Sequence, residues 1–166
     1  MNPFWVKCEL PGRLAIVPRP RGGDWLADDL GALRSTGIDV LVSLLTPEEA
    51  EELGLRGEQE LSHAQSLRFI SFPILDRSVP ASPAGVDNLI KELKVEMAAG
   101  RAIGIHCRAG IGRSALVAAC LLTKEGVTPK EAFERISAAR RCPVPDTSEQ
   151  AIWVESFLGR RTSSGH

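Results

Sequence analysis

The sequence predicts an α/β fold: a central, mostly parallel sheet of four to five strands flanked by helices. Short runs dense in β-branched and aliphatic residues, such as Ile38–Leu45 (IDVLVSLL), have the pattern of strands buried on both faces. Longer segments with helical spacing of apolar residues alternate with these runs, which favours parallel strands joined by helices. Strong helix-start signals, Thr-Pro-x-Glu at 46–49 and at 128–131, mark where two of the helices begin. No repeat, low-complexity linker or composition shift divides the chain, so residues 1–166 are expected to form one domain, with 160–166 as a frayed tail.

In chain order, Phe4–Leu10 and Arg13–Val17 are expected to be short strands around a Pro-Gly turn. Pro18–Gly23 is a loop whose arginines are expected to be solvated. Asp24 is a candidate N-cap for a helix over Trp25–Arg34, with Trp25, Leu26, Leu30 and Leu33 as its apolar face and Gly37 as its stop. Ile38–Leu45 is the central strand candidate. Thr46-Pro47-Glu48-Glu49 then opens a short helix whose acidic run is read as a solvated face. A second short helix covers Glu58–Gln65, with His63 on the surface.

Leu67–Phe72 is the next strand, followed by the Pro-bounded loop Pro73–Pro80. Ser82-Pro83 opens a long helix to about Ala99, with Val86, Leu89, Ile90, Leu93 and Met97 as one core stripe. Arg101–Ile105 is a buried strand, and Ala115–Thr123 (ALVAACLLT) a buried helix. Thr128-Pro129 starts a helix to about Arg140, with Ala132, Phe133 and Ile136 facing inward, and the last helix covers Ser148 to about Leu158.

The stretch Ile105-His106-Cys107-Arg108-Ala109-Gly110-Ile111-Gly112-Arg113-Ser114 joins the last strand to its helix. A Gly-containing turn from a strand into a helix aims successive backbone N–H groups at one point, and the positive end of the helix dipole adds to them. The loop has no Lys, which excludes the nucleotide-binding P-loop pattern. Instead a Cys opens it and an Arg closes it. A thiol over N–H donors and near a guanidinium is driven toward thiolate. The guanidinium of Arg113 can fork onto two oxygens of a tetrahedral oxyanion. The five residues between Cys107 and Arg113 suffice to wrap one phosphate-sized anion.

The pattern His106-Cys107-(five residues)-Arg113-Ser114 resembles the signature of the cysteine-dependent protein tyrosine and dual-specificity phosphatases. That resemblance implies a protein tyrosine phosphatase-like fold and a phosphomonoester hydrolase with no cofactor or metal. It implies Cys107 as nucleophile, Arg113 and the loop amides of Arg108, Ala109, Gly110, Ile111, Gly112 and Arg113 as the phosphate cradle, and Ser114 as the hydroxyl that stabilises the departing sulfur. His106 is expected to order the loop by hydrogen bonding to backbone.

A leaving oxygen needs a proton, and Asp76, on a loop after a strand, is the candidate donor; Asp87 and Asp146 are the alternatives. Gln150 either orients the hydrolytic water, as in some relatives, or only completes a capping box with Thr147. The chain contains no Tyr, so the aromatic clamp of the larger tyrosine-specific enzymes is missing. A shallow pocket for phosphotyrosine, phosphoserine and phosphothreonine on phosphoproteins is expected. The alternatives are a catalytically weak phosphate-binding module and a phosphoinositide phosphatase.

The formal net charge of −1 gives no electrostatic case for nucleic acid or a membrane surface. No apolar run reaches the length of a membrane span, and the N-terminus has no signal-peptide pattern, so a cytoplasmic protein is expected. Cys8, Cys107, Cys120 and Cys142 lack metal-site spacing. Cys120 is read as a core residue; Cys8 or Cys142 could bridge to Cys107, although unpaired thiols are the favoured reading.

Overall fold

The computed structural model describes residues 1–164, with side chains described through residue 159. Its centre is a five-stranded sheet of order β1-β2-β5-β3-β4, built from Phe4–Val6 (β1), Arg13–Ile16 (β2), Val40–Ser43 (β3), Arg68–Ser71 (β4) and Ala102–His106 (β5). Only β1 runs antiparallel, against β2; the remaining pairs are parallel. The fold is therefore the expected α/β class, with five strands.

The most apolar late strand, β5, lies in the middle. Ile105 pairs with Ile16 on one side and Val42 on the other. All five of its residues are buried, as a strand with neighbours on both edges and helices on both faces requires. Its C-terminal end is held from both sides: Val17 N–H donates to Ile105 O at 3.0 Å, and Leu44 N–H to His106 O at 3.0 Å. The residue after His106 therefore leaves the sheet from a fixed point.

One face of the sheet packs on Pro83–Ala98 (α4), Arg113–Lys124 (α5), Pro129–Arg140 (α6) and Ser148–Ser164 (α7). The core stripe of α4 is buried as the spacing predicted, and Ser82 caps that helix by accepting the Gly85 N–H at 3.1 Å. In α5 every residue from Arg113 to Thr123 is buried, including Cys120, whose thiol is pushed well up by that burial. The other face is covered by Leu26–Ser35 (α1) and Glu58–Ala64 (α3), with Leu26, Leu30 and Leu33 in its core. Pro47–Glu52 (α2) closes the sheet's C-terminal end and carries the capping box read from Thr46 and Glu49.

Several boundaries differ from expectation. The first strand stops at Val6 rather than Leu10, because Leu10-Pro11-Gly12 belongs to the turn and Gly12 lies against the backbone of Met97 and Arg101. Asp24 does not cap α1. It lies in a 3-10 turn, Gly23–Trp25, that precedes the helix, and Trp25 becomes the cap residue. That turn swings Trp25 off the apolar face: its ring is 56% exposed and stacks against Arg21, whose guanidinium forks onto Asp29. Arg21 is thus paired rather than simply solvated. His63 is exposed, as read. The last helix runs to Ser164 instead of Leu158; of the segment expected to fray, residues 165–166 and the side chains of 160–164 lie outside those described. All four cysteines are free thiols.

Ile90 is fully buried within the main core cluster. Ile90→Ala is expected to lower unfolding free energy by about 2–5 kcal/mol, read by urea denaturation, since the cavity collapses only partly.

Candidate active site

Residues 107–112 form the loop between β5 and α5. Gly110 sits at φ +71°, a backbone conformation that other residues adopt only with strain. Its N–H points inward and donates to Cys107 Sγ at 3.2 Å. The loop's carbonyls are held on the outside. Arg140, at the end of α6, donates from Nε to Gly110 O at 2.9 Å and from Nη2 to Ala109 O at 3.1 Å. Arg19 donates to Arg108 O at 3.5 Å, so this arginine touches the loop rather than free solvent. With carbonyls turned out, the amide dipoles point their positive ends into the loop. Gly112 is tight for another reason. A Cβ there would meet the Gln150 amide at 2.8 Å and Asp146 Cβ at 2.9 Å.

Arg113 and Ser114 are the first two residues of α5, which starts two residues earlier than the helix read from sequence. Arg113 is only 1% exposed. Its Nη1 donates to Glu49 Oε1 at 2.7 Å and Ile74 O at 2.8 Å, and its Nη2 to Glu49 Oε2 at 2.9 Å and Asp76 Oδ1 at 3.0 Å. Burial opposes the charge on Arg113, but the Glu49 hydrogen bonds and the neighbouring Cys107 and Asp76 outweigh it and hold the guanidinium above its ordinary value. The same balance holds Glu49 below the usual carboxylate range: burial raises it, while Arg113 and the Thr46 N–H lower it further. Glu49 is therefore not part of a solvated face, unlike Glu48, Glu51 and Glu52. It caps α2 and clamps Arg113 with the same carboxylate.

His106 is fully buried and does not line the cleft over the loop. Its Nδ1 lies 3.3 Å from Cys107 O, the backbone contact expected of it, and its Nε2 lies 2.6 Å from Glu58 Oε2. Asp76 is half exposed and joined to the loop through Arg113. Asp146 pairs with Arg77 at 2.9 Å, while Asp87, bound by Lys91 and Lys124, lies on α4 outside the cleft. Ser114 Oγ is buried with no hydrogen-bond partner among the described residues. Gln150 is fully buried; it accepts the Thr147 N–H at 3.1 Å, completes the reciprocal cap, and donates to Ser78 O at 3.0 Å.

A cleft of about 250 Å³ opens over the loop. It is lined by Asp76, Arg77, Cys107, Arg108, Ala109, Ile111, Gly112, Arg113 and Asp146. No aromatic ring lines it. Within one small cleft lie a thiol that accepts a backbone N–H, a fixed guanidinium, inward-facing amides and a carboxyl group on an open loop. Such a set can bind a tetrahedral oxyanion and place sulfur against its central atom. The sequence matches a family described as "Swiss Army Knife protein, DSP-PTPase phosphatase domain" over residues 5–155.

The chain belongs to this family of dual-specificity-type phosphatase domains. It is 29% identical over 157 residues to cyclin-dependent kinase inhibitor 3 of Sus scrofa, covering 93% of this chain and 71% of the pig protein. The Homo sapiens protein of the same name is 28% identical over the same shares. A crystal structure of kinase associated phosphatase, carrying serine for its catalytic-site cysteine, is similar with a TM-score of 0.87 at 23% identity, covering 99% of this chain and 97% of the other. That likeness concerns the fold. The phosphatase-domain match spans the cysteine loop, Asp76 and Gln150 alike.

Loop spacing and the family resemblance together pointed to Cys107, Arg113, Asp76, Ser114 and Gln150 as site residues, and they gather at or beside the loop. Glu49, Glu58 and Arg140 were not singled out. The only sequence signal for Glu49 was its cap position, and Glu58 and Arg140 carried none. Glu49→Ala leaves a buried guanidinium without its main partner and is expected to cost about 3–5 kcal/mol in urea unfolding at pH 7. Because Glu49 is depressed in the fold, its contribution is present above the usual carboxylate range and is lost as pH falls through and below it. The stability gap between wild type and Glu49→Gln should therefore shrink on acidification.

Proposed function

We propose that this chain is a metal-independent phosphomonoester hydrolase acting on phosphoproteins through a phosphocysteine intermediate. The observation that carries this reading is the cleft in which Cys107 Sγ, Arg113 and Asp76 meet, with Gly110 N–H on the sulfur. The thiolate of Cys107 attacks phosphorus. Arg113 and the amides of Arg108–Arg113 hold the equatorial oxygens. A phosphoryl oxygen takes over the Arg113 Nη2–H that Asp76 accepts, which frees the Asp76 carboxyl to turn toward the leaving oxygen. As the P–O bond breaks, Asp76 gives that oxygen its proton and becomes a carboxylate.

In the second step water attacks the phosphocysteine, Asp76 takes its proton, and the P–S bond breaks. Ser114, whose hydroxyl has no other partner among the described residues, donates a hydrogen bond to the departing sulfur. Gln150, packed against Gly112 beside the loop, orients the water. The sum is phosphomonoester plus water to alcohol plus inorganic phosphate. The open cleft without an aromatic clamp supports phosphotyrosine together with phosphoserine and phosphothreonine as substrates. The similarity to proteins named for a kinase supports phosphoproteins as the class.

Turnover of p-nitrophenyl phosphate in the presence of EDTA is expected for wild type, and none for Cys107→Ser. Residual turnover by Cys107→Ser overturns the nucleophile assignment. Phosphopeptide binding without phosphate release means a binding module, and release only from phosphoinositides means a lipid phosphatase. Asp76→Asn should lower kcat on phosphopeptides by about 10²–10⁴-fold, with a smaller loss on aryl phosphates whose leaving group needs less protonation. Ser114→Ala should leave the first step intact and slow the second, seen as a burst of p-nitrophenol followed by a reduced steady state.

A further inference from the structure

A second cavity opens on the outer side of the cysteine loop, and the proposed chemistry does not use it. It measures about 300 Å³ and shares Arg108 and Ala109 with the catalytic cleft. Three arginines line it: Arg19 from the segment after β2, Arg108 from the loop and Arg140 from the end of α6. Its other walls are apolar, with Phe4, Ile16 and Val17 among them, and no carboxylate lines it. In a chain of formal net charge −1 this is a local concentration of positive charge in a low-dielectric recess, which attracts anions.

Holding the loop does not exhaust these arginines. It takes three hydrogen bonds to carbonyls, one from Arg19 Nη1 and two from Arg140 Nε and Nη2. Each guanidinium carries five N–H groups. The Nε–Nη2 edge of Arg19 and Nη1 of Arg140 have no hydrogen-bond partner among the described residues. The edge left on Arg19 is of the kind that forks onto two oxygens of a carboxylate or phosphate. Neither Arg19 nor Arg140 pairs with a carboxylate among the described residues, whereas Arg108 has Glu52 at 3.4 Å and Glu49 at 3.7 Å. Arg19 and Arg140 are half-buried, and Arg140 stacks on Phe4, 4.4 Å from the ring centroid. Their donors are thus placed before a ligand arrives, which lowers the ordering cost of binding.

The shared rim limits what the cavity can read. Arg108 and Ala109 separate the two openings, and an extended peptide advances about 3.3–3.6 Å per residue. A group in this cavity therefore lies within a few residues of one bound over Cys107. We propose that the cavity is a second anion subsite for substrate, taking the carboxylate or phosphate of a residue near the one that is dephosphorylated. This rests on the phosphoprotein reading above and narrows it to substrates with a second negative group close by. Arg19 and Arg140 then determine specificity, since they touch the neighbouring group and not the reacting atoms.

The test uses peptides of one sequence with a single phosphotyrosine. A second position, scanned along the flanks on both sides, carries alanine, glutamate or a phosphonate analogue of phosphoserine that cannot be hydrolysed. Phosphate release gives kcat/KM for each. At low salt the best phosphonate peptide is expected to exceed its alanine counterpart about tenfold, and the ratio should fall as NaCl screens the site. An advantage shared by glutamate assigns the subsite to acidic residues, and one confined to the phosphonate assigns it to a second phosphate. Arg19→Gln should bring the ratio down to about twofold or less. Lys130→Gln, which removes the same charge near the start of α6, should leave the ratio as in wild type. A wild-type ratio near one at every position overturns the proposal, and so does an equal fall in the two variants. If Arg19→Gln does not fold, Arg19→Lys keeps the charge, loses the fork and should still cut the ratio about threefold; an unchanged ratio overturns the proposal.

Binding of the same peptides to Cys107→Ser, followed by fluorescence anisotropy, separates this subsite from the phosphatase reading. Tighter binding of the phosphonate peptide, with no turnover by wild type, keeps the subsite and removes the phosphatase. Turnover with a ratio near one does the reverse.

Discussion

The site depends on one buried charge. Arg113 is a guanidinium with almost no access to water, at the first position of a helix where positive charge is already disfavoured by the dipole. It is stable there only because its N–H groups meet oxygens from several elements at once: Glu49 from α2, Leu44 O after β3, and Ile74 O and Asp76 after β4. The consequence is mechanical as well as electrostatic. The loop bearing Asp76, the acidic helix and the start of α5 cannot shift independently without leaving a buried polar group unpaired. Binding two Glu49 oxygens fixes the plane of the guanidinium, and with it the direction in which Nη2 faces the cleft.

Around that charge the backbone is turned inside out relative to a helix or a strand. In both of those, carbonyls find N–H partners of the same chain segment or its neighbour. In the loop after β5 the carbonyls of Arg108, Ala109 and Gly110 are bound by arginines from outside instead. The amides are then left facing one point. Arg140 is itself held by its stack on Phe4 in β1, 4.4 Å from the ring centroid. The first strand of the chain thus supports the loop through one guanidinium, which gives a short antiparallel edge strand a reason to be there.

The sequence was most informative where chemistry is local. Cys107 and Arg113 are separated by one loop, so spacing alone placed them, and the α4 stripe follows from helical periodicity. It was least informative for Glu49, Glu58 and Arg140, whose partners lie 64, 48 and 30 residues away. Each also had a sufficient local explanation: a capping box, a helix start, a basic residue in a last turn. A local explanation that is true hides a second role, since nothing in the residue's neighbours signals the tertiary partner. Trp25 failed for the opposite reason. Helical phase put it on the buried face, but the 3-10 turn that precedes α1 has a different residue count per turn and rotates it outward.

Ser114 separates the structural and chemical explanations of a polar residue. A serine in the first turn of a helix is ordinary when its hydroxyl bonds a backbone carbonyl or N–H nearby. Here Oγ is buried and does neither among the described residues. A buried hydroxyl without a partner costs about 1–3 kcal/mol, and Ala at the same place would avoid that cost and favour the helix. The cap explanation therefore does not account for the residue. A donor held idle beside the cysteine loop is what the proposed second step requires. The hydrogen bond it forms there would be available as sulfur regains its charge, and so would stabilise that transition state without stabilising the resting enzyme.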